Sequence, residues 1–228
     1  MTSYTILNFH PTKENTPFHV GLIPDGTGRW ALKKGIKLVD AYTSAWTRVE
    51  EFLEYFFLRG ATCASIYFSS VQNFKRSPDQ IDSFCSAQNR FISIFLNSFL
   101  ERFPSKINPV GNLSSVPNYF RKTLLDIKKK TKNNQKYEIN FLVAYNPLEE
   151  IENAIKSSIN GNFLENLWVK KPLDLVVRTS ANLLSNFLPL QCGYARFYWI
   201  DKLFPDVDIN DYKIIYDEFV KIDRRYGD

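Results

Sequence analysis

The sequence predicts an α/β protein with one domain, in which a mainly parallel central sheet is flanked by helices. Short apolar runs rich in β-branched residues alternate with longer stretches whose apolar residues recur at helical spacing. Such alternation is typical of a parallel sheet covered on both faces. With 228 residues, the chain is long enough to bury a sizeable core.

The predicted elements follow in order along the chain. Residues 1–17 are polar and are expected to form a loosely ordered lead-in, and residues 18–228 are expected to form the folded domain. Strands are predicted in the apolar run before Asp25 and over Thr62–Phe68, Lys106–Val110, Tyr137–Tyr145, Leu173–Val177 and Ala195–Ile200. Helices are predicted over Arg29–Gly35, Val39–Arg59, a long stretch from Ser77 to Leu100, Val116–Lys130, Pro147–Ile159 and Ile209–Arg225.

Composition and charge exclude several classes of protein. The net charge of +5 agrees with phosphate-bearing ligands but is too weak to indicate nucleic-acid binding. The three cysteines have no CxxC spacing, and two histidines cannot build a histidine-rich metal site. No apolar run approaches the roughly 20 residues needed to span a bilayer, and the N-terminus lacks the apolar core of a signal peptide. We therefore expect no transmembrane segment and a cytoplasmic location.

A glycine-containing turn is the first candidate binding element. An apolar run ends in Asp25, and Gly26 and Gly28 then precede Arg29 at the start of a helical pattern. Glycines allow the backbone to approach a ligand closely, and the first N–H groups of a helix favour a phosphate. Arg29 could serve as counter-charge, and Asp25 as metal ligand or base. An ordinary strand–helix turn in which Asp25 caps the helix fits the same spacing.

Two further polar clusters follow later strands. The first runs from Ser69 to Arg76, and the second contains Arg178, Ser180 and Ser185. Because parallel strands end at the same edge of a sheet, Asp25 and both clusters are expected to meet there. Each cluster taken alone also fits a polar loop that leads into a helix. The functional interpretation therefore depends on their expected convergence at one edge of the sheet.

Together these motifs resemble those of the cis-prenyltransferases of the undecaprenyl-diphosphate-synthase type, from about His19 to Gly227. The matching motifs, in the order of the family, are Asp25-Gly26-x-Gly28-Arg29-Trp30, Ser69-Ser70 followed by Asn73-aromatic-x-Arg76, Arg178-Thr179-Ser180 followed by Ser185-Asn186-Phe187, and Arg224-Arg225-Tyr226-Gly227. The resemblance implies a homodimer with a hydrophobic tunnel, an allylic prenyl diphosphate as donor and Mg²⁺ as cofactor.

The resemblance also implies residue roles. Asp25 matches an essential aspartate that binds Mg²⁺ or assists departure of the diphosphate. The donor diphosphate would be bound by Gly26, Thr27, Gly28, Arg29 and Trp30. Ser70, Asn73 and Arg76 match groups beside the reacting carbons, with Tyr42 added as a candidate catalytic residue near the donor phosphates. Arg178, Ser180 and Ser185 match acceptor-diphosphate ligands, and Arg225 and Gly227 match a C-terminal motif that completes the site of the partner subunit.

Several positions depart from the family pattern. Leu38 and Tyr42 stand where donor-phosphate contacts are usual, and a residue is inserted before Asn73. Arg196 replaces the usual glutamate that partners the metal, so Arg196 is expected to act as a counter-charge in a site with altered use of Mg²⁺. Most of these departures resemble the lavandulyl and cyclolavandulyl diphosphate synthase branch, which joins short allylic diphosphates into branched or cyclic products.

Three functions follow from this comparison. The first is irregular condensation of short allylic diphosphates, such as dimethylallyl, geranyl or farnesyl diphosphate, to a short-chain isoprenoid diphosphate. The second is a terpene cyclase, or a prenyltransferase acting on a non-phosphorylated, aromatic acceptor. The third is a catalytically silent partner subunit. Phenylalanine-rich helices agree with a blocked tunnel, although core packing explains the same residues.

Overall fold

The computed structural model describes residues 17–158 and 161–221, which form a sheet of six parallel strands with the order β3-β4-β2-β1-β5-β6. The strands are β1 Phe18–Ile23, β2 Ala61–Tyr67, β3 Ser105–Val110, β4 Tyr137–Leu142, β5 Leu175–Thr179 and β6 Arg196–Ile200. The predicted parallel α/β fold is confirmed. The predicted lead-in over residues 1–17 lies almost entirely outside the described residues.

The helices are α1 Thr27–Lys34, α2 Leu38–Phe57, α3 Pro78–Arg90, α4 Leu96–Arg102, α5 Asn118–Thr131, α6 Pro147–Lys156 and α7 Ile209–Lys221. The long helix predicted from Ser77 to Leu100 corresponds to a continuous helical run from Pro78 to Arg102, in which a π-helical turn, Phe91–Phe95, separates α3 from α4. Short 3₁₀ turns occupy Val71–Lys75, Leu113–Ser115, Phe163–Asn166 and Phe204–Asp206. The predicted end of the last helix, residues 222–225, lies outside the described residues.

Several strand boundaries differ from the prediction, most of them by one or two residues, and two of the differences have a clear backbone reason. The fourth strand ends at Leu142 and not at Tyr145, since Ala144 has a left-handed φ of 47°. The fifth strand begins at Leu175 and not at Leu173, because the Leu173 N–H bonds to the Gln191 carbonyl outside the sheet. The same strand ends at Thr179 and not at Val177, so Arg178 lies within β5 and not in the loop that follows it.

The core has two parts. The larger cluster packs α2, α3, α5 and α7 on the sheet and includes the fully buried rings of Phe52, Phe56, Phe120 and Phe141. The smaller cluster contains Val176, Phe187 and Leu188. Core packing thus explains the phenylalanines of the C-terminal half of α2. Within the described residues, we find no helix with the length and apolarity required to cross a membrane.

A buried polar network joins the central strands around His19. The His19 ring is 2% exposed; its Nε2 lies 2.8 Å from Ser65 Oγ, and its Nδ1 lies 3.1 Å from the Pro172 carbonyl. Asn140 Nδ2 donates to the same Ser65 oxygen at 3.1 Å. Burial disfavours the charged imidazolium and lowers the pKa of His19 to about 4. His19 is thus held neutral, as a structural link between β1, β2 and β4.

This link predicts an acid-sensitive stability. The unfolded chain takes up a proton at His19 near pH 6.5, whereas the folded chain does so only near pH 4. The His19 contribution to the free energy of unfolding is therefore complete above pH 6.5 and falls by about 3 kcal/mol as the pH drops to 4. Urea unfolding of the wild type and of His19→Gln between pH 7 and pH 4 measures this loss. An equal fall in the free energy of unfolding with pH in the two proteins would contradict the prediction.

Candidate functional site

A pocket of about 720 Å³ opens where β1, β2 and β5 end. It is lined by Asp25 and the glycine turn after β1, by Ser70, Asn73 and Arg76 after β2, and by Arg178, Ser185 and Asn186 from β5 and its following loop. Residues from three separated parts of the sequence therefore meet at one edge, as expected for a parallel sheet. The volume is that of a typical small-molecule site.

Asp25 is held in place by the backbone and not by a capping role. The Asp25 N–H donates to Thr179 Oγ1 at 2.9 Å, and the Thr179 hydroxyl donates to the Asp25 carbonyl at 2.8 Å. Helix α1 is capped by Gly26, without a side-chain hydrogen bond. The alternative in which Asp25 is an ordinary N-cap is thus wrong, and its carboxylate, 38% exposed, is left to the pocket.

The two glycines of the turn have different roles. Gly26 has a φ of 103°, a conformation that side chains with a Cβ rarely adopt, and a Cβ there would lie 2.8 Å from a methyl of Leu203. Gly28 lies in the first turn of α1 with ordinary φ, and the nearest atom to an added Cβ would be 4.0 Å away. Only Gly26 is required by backbone conformation, whereas Gly28 leaves the start of the helix open to the pocket.

The segment after β2 caps a 3₁₀ turn and lines the pocket as well. The Ser70 N–H and hydroxyl both donate to Asn73 Oδ1, at 2.8 and 3.1 Å. Arg76 ends this turn and donates weakly to the Tyr42 hydroxyl, with 3.5 Å between Arg76 Nη1 and Tyr42 Oη. Burial raises the pKa of Tyr42 above its ordinary value, so its hydroxyl stays protonated. The structure thus brings all four predicted residues to one wall.

Arg178 forms the opposite wall. Its side chain is 5% exposed, and its Nη2 lies 2.9 Å from Asp25 Oδ2. Arg178 Nη1 donates to Ser185 Oγ at 2.8 Å, while Arg29 Nη2 approaches the other oxygen of Asp25 at 3.4 Å. Three guanidinium groups and one carboxylate line the pocket, an excess of two positive charges. The pocket is therefore suited to a guest with several negative charges.

A metal site built from protein groups alone is not present among residues 17–158 and 161–221, where no three His, Cys, Asp or Glu side chains cluster. Asp25 is the single acidic residue that lines the pocket in this part of the chain. Mg²⁺ is commonly held by one or two carboxylates together with substrate phosphates. The residues therefore fit an ion shared between Asp25 and a bound phosphate group.

Not every predicted site residue reaches the pocket. Trp30 points away and donates from Nε1 to Asp206 Oδ1 at 2.7 Å. Ser180, with a φ of 70°, packs beside Gly26 without lining the pocket. Arg196 begins β6 and pairs with Leu175, at the amino end of the sheet. The expected counter-charge role of Arg196 beside Asp25 is thus not supported within one chain. Arg225 and Gly227 lie outside the described residues.

Sequence reasoning missed two polar lining residues, Tyr67 and Gln80. Tyr67 is the last residue of β2, so its position at a strand end was a signal that could have identified it. Gln80 lies in the first turn of α3, where polar residues are common and carry no such signal.

The turn predicts contrasting effects of two alanine substitutions. Gly26→Ala is expected to lower the free energy of unfolding by about 1–3 kcal/mol, because a Cβ at φ 103° is strained and meets Leu203. Gly28→Ala is the matched control, with room for the methyl, and is expected to leave stability unchanged or raise it by up to about 1 kcal/mol. Chemical denaturation measures both, and equal losses would contradict this account.

Comparison with known proteins identifies the family. The family model described as "Putative undecaprenyl diphosphate synthase" matches residues 23–227. A geranylgeranyl-diphosphate-specific tritrans,polycis-undecaprenyl-diphosphate synthase of Thermoplasma volcanium is 30% identical over 230 residues, covering 92% of this chain and 89% of that protein.

Solved structures show the same fold. Lavandulyl diphosphate synthase from Lavandula x intermedia, in complex with dimethylallyl diphosphate, superposes with a TM-score of 0.86 at 22% identity, covering 95% of this chain and all of that one. A probable undecaprenyl diphosphate synthase from Campylobacter jejuni superposes with a TM-score of 0.76 at 26% identity, covering 94% of this chain and all of that one. The motifs, the parallel sheet and the match over residues 23–227 together show that the chain belongs to the cis-prenyltransferase family and is a prenyltransferase.

Proposed function

We propose that the chain condenses two short allylic prenyl diphosphates, in irregular fashion, to a branched or cyclised short-chain isoprenoid diphosphate. The observation that carries the proposal is a single pocket with two cationic walls and an aromatic end. Arg29 and the start of α1 form one diphosphate cradle, and Arg178 with Ser185 forms the other. Asp25 lies between them and contacts both arginines.

The donor is proposed to lie on the glycine turn. The C1–O bond of the allylic diphosphate breaks, and the electron pair leaves with the diphosphate. Arg29 and the unpaired N–H groups at the start of α1 stabilise this negative charge as it develops. When bound, Mg²⁺ would neutralise further charge on the leaving group, and Asp25 is the residue that would hold it.

The acceptor is proposed to lie against Arg178 and Ser185. Its alkene π electrons form the new bond to C1 of the donor, and the resulting cation then loses a proton. Asn73 Oδ1 already accepts two hydrogen bonds from Ser70, and the Tyr42 phenol is protonated. We therefore assign the proton to an oxygen of the departing diphosphate. The Tyr42 ring, beside the donor cradle, is placed to stabilise positive charge on carbon.

An aromatic barrier supports the short chain length. Tyr42 and Phe84 meet edge to face at 5.0 Å on the pocket wall. Beyond them the Trp46 ring contacts Phe68 at 4.6 Å and Phe91 at 5.3 Å. A separate hollow of about 220 Å³ between α2 and α3 begins on the far side of Trp46 and Phe91. The barrier thus divides the groove that a long prenyl chain would occupy.

Two observations favour the irregular reaction. Leu38 and Tyr42, which depart from the usual family pattern, both line the pocket. The likeness to lavandulyl diphosphate synthase, which was crystallised with dimethylallyl diphosphate, supports a small allylic substrate. The contact between Arg178 and Ser185 favours a phosphorylated acceptor over a non-phosphorylated one.

We further propose that two copies of the chain associate through β6. This edge strand carries Phe197 stacked on Trp199 at 5.7 Å, and Trp199 is 40% exposed. An exposed aromatic edge strand is commonly covered by a partner. Light scattering that gave the mass of one 26.6 kDa chain would reject the dimer.

The reaction is tested by product analysis. Incubation with dimethylallyl, geranyl or farnesyl diphosphate, with and without isopentenyl diphosphate and Mg²⁺, is expected to give a branched or cyclic diphosphate from allylic substrate alone, identified by mass spectrometry before and after phosphatase. Asp25→Asn is expected to reduce turnover at least about 100-fold, while the surface variant Asp82→Asn stays near wild type.

Each other product would point elsewhere. A linear product that requires isopentenyl diphosphate would reject irregular condensation. A phosphate-free product would indicate a cyclase, and a lack of turnover together with a lack of donor binding would indicate a silent subunit.

The aromatic barrier predicts a change in product length. Trp46→Leu is expected to join the pocket to the hollow beyond it, so that the longest allylic diphosphate accepted, and with it the longest product, grows by at least one isoprene unit. Phe120→Leu removes a comparable ring from the core away from the pocket and controls for general loosening. Mass spectrometry of the products measures both, and an unchanged length in Trp46→Leu would contradict the barrier.

A further inference from the structure

Tyr67 occupies a position that joins the two walls of the pocket. It is the last residue of β2, which is separated from β5 in the sheet by β1. Its hydroxyl nevertheless donates to the Ser185 carbonyl at 3.1 Å, in the loop after β5. Tyr67 also lies just before the cluster after β2, whose Ser70 lines the same pocket. One residue thus links the cluster after β2 to the loop that partners Arg178.

The loop that Tyr67 contacts is conformationally strained. Ser185, Asn186 and Leu188 all have positive φ, at 51°, 62° and 42°. Each such residue costs of order 1 kcal/mol or more and persists only where surrounding contacts hold it. The hydrogen bonds that reach Ser185 come from Arg178, through its Oγ, and from Tyr67, through its carbonyl. The Tyr67 hydroxyl therefore helps to hold a conformation that the loop alone disfavours.

The Tyr67 ring is itself fixed from behind. It meets Tyr145 edge to face at 6.2 Å and lies 5.5 Å from the Phe187 ring. The Tyr145 hydroxyl donates to the buried Glu150 carboxylate, whose other oxygen accepts from the Val169 N–H at 3.0 Å. Such buried, satisfied polar contacts rigidify the groups they join. The phenol is thus presented to the loop on a rigid support.

The Tyr67 hydroxyl stays protonated near neutral pH and therefore remains a hydrogen-bond donor there. Burial raises its pKa to about 12, although the Ser70 hydroxyl and the Arg178 charge act in the opposite direction. A phenol with this pKa does not serve as a base near neutral pH. Both its hydrogen bond to the Ser185 carbonyl and its protonation state indicate that Tyr67 positions the loop and does not act as a base.

From these contacts we propose that Tyr67 is a positioning residue for the second diphosphate. It fixes the 185–188 loop so that Ser185 Oγ and Arg178 Nη1 remain 2.8 Å apart in an acceptor-binding arrangement. The inference rests on the proposed function, in which Arg178 and Ser185 bind the acceptor and the glycine turn binds the donor. Tyr67 does not touch the turn, so its influence is confined to one of the two cradles.

The test is calorimetric titration of the full chain with dimethylallyl S-thiolodiphosphate, an analogue that resists ionisation. Tyr67→Phe keeps the ring packing and removes the hydroxyl, and it is expected to weaken one of two binding events about fivefold while leaving the other unchanged. The KM for the acceptor should rise by a similar factor at nearly unchanged kcat. Tyr119→Phe, which loses a hydroxyl bonded to Asp82 on the surface, is the matched control and should alter neither.

A second substitution separates positioning from general damage. In an Asn186→Gly background, which keeps the Ser185 hydroxyl, the positive φ at residue 186 costs the chain little, so adding Tyr67→Phe is expected to weaken binding by less than about twofold further. Equal weakening at both cradles, or a fall in kcat with binding unchanged, would overturn the proposal. Wild-type protein that bound no analogue at all would instead reject the proposed function.

Discussion

The pairing of β1 with β5 fixes the chemistry of the whole pocket edge. Register places Ile23 opposite Arg178, so the residues that follow β1 meet Arg178 and Thr179 directly. Thr179 bonds to both the N–H and the carbonyl of Asp25, and that carbonyl also accepts from the Phe204 N–H at 3.0 Å. With its backbone held at three points, Asp25 can direct its carboxylate at two arginines. The start of α1 and the loop before α7 both take their positions from this one residue.

The fold followed from sequence because local patterns and global topology agree. Alternating strands and helices require a parallel sheet, and a parallel sheet brings all carboxyl ends to one edge. Asp25, Ser70 and Arg178 could therefore be placed together without any knowledge of side-chain contacts. The motif order then supplied the family, which the match over residues 23–227 shows.

Other features depend on contacts that local pattern does not encode. The start of β5 is set by a bond from Leu173 to Gln191, and the break after α3 by a π turn in an otherwise helical apolar pattern. Trp30 matched a motif, yet a carboxylate distant in sequence, Asp206, draws it away from the pocket. The position of Arg196 within one chain has a simpler explanation. A residue that begins a parallel strand lies at the edge opposite the ligand, so its own predicted strand already argued against a place beside Asp25.

The aromatic content serves two purposes that composition does not distinguish. Of the 19 phenylalanines, those at 52, 56 and 120 lie deep in the core, whereas Phe84 lines the pocket and Phe91 packs on Trp46 at its closed end. The proposed limit on chain length thus rests on a few rings on the facing sides of α2 and α3. Other rings of α2, such as those of Phe52 and Phe56, pack in the core against the sheet.

The side chain of Asn73 contacts both the 3₁₀ turn, through Ser70, and the pocket. Only one of these contacts distinguishes an amide from a carboxylate at this position. Its oxygen accepts both hydrogen bonds from Ser70, and an isosteric aspartate could accept them equally well at the start of the 3₁₀ turn. Capping alone therefore does not require an amide. The other half of the side chain belongs to the pocket, where an NH₂ group offers hydrogen to an anionic guest and a carboxylate oxygen would repel it. The turn alone thus does not require asparagine at this position, whereas the proposed anionic ligand favours an amide over a carboxylate.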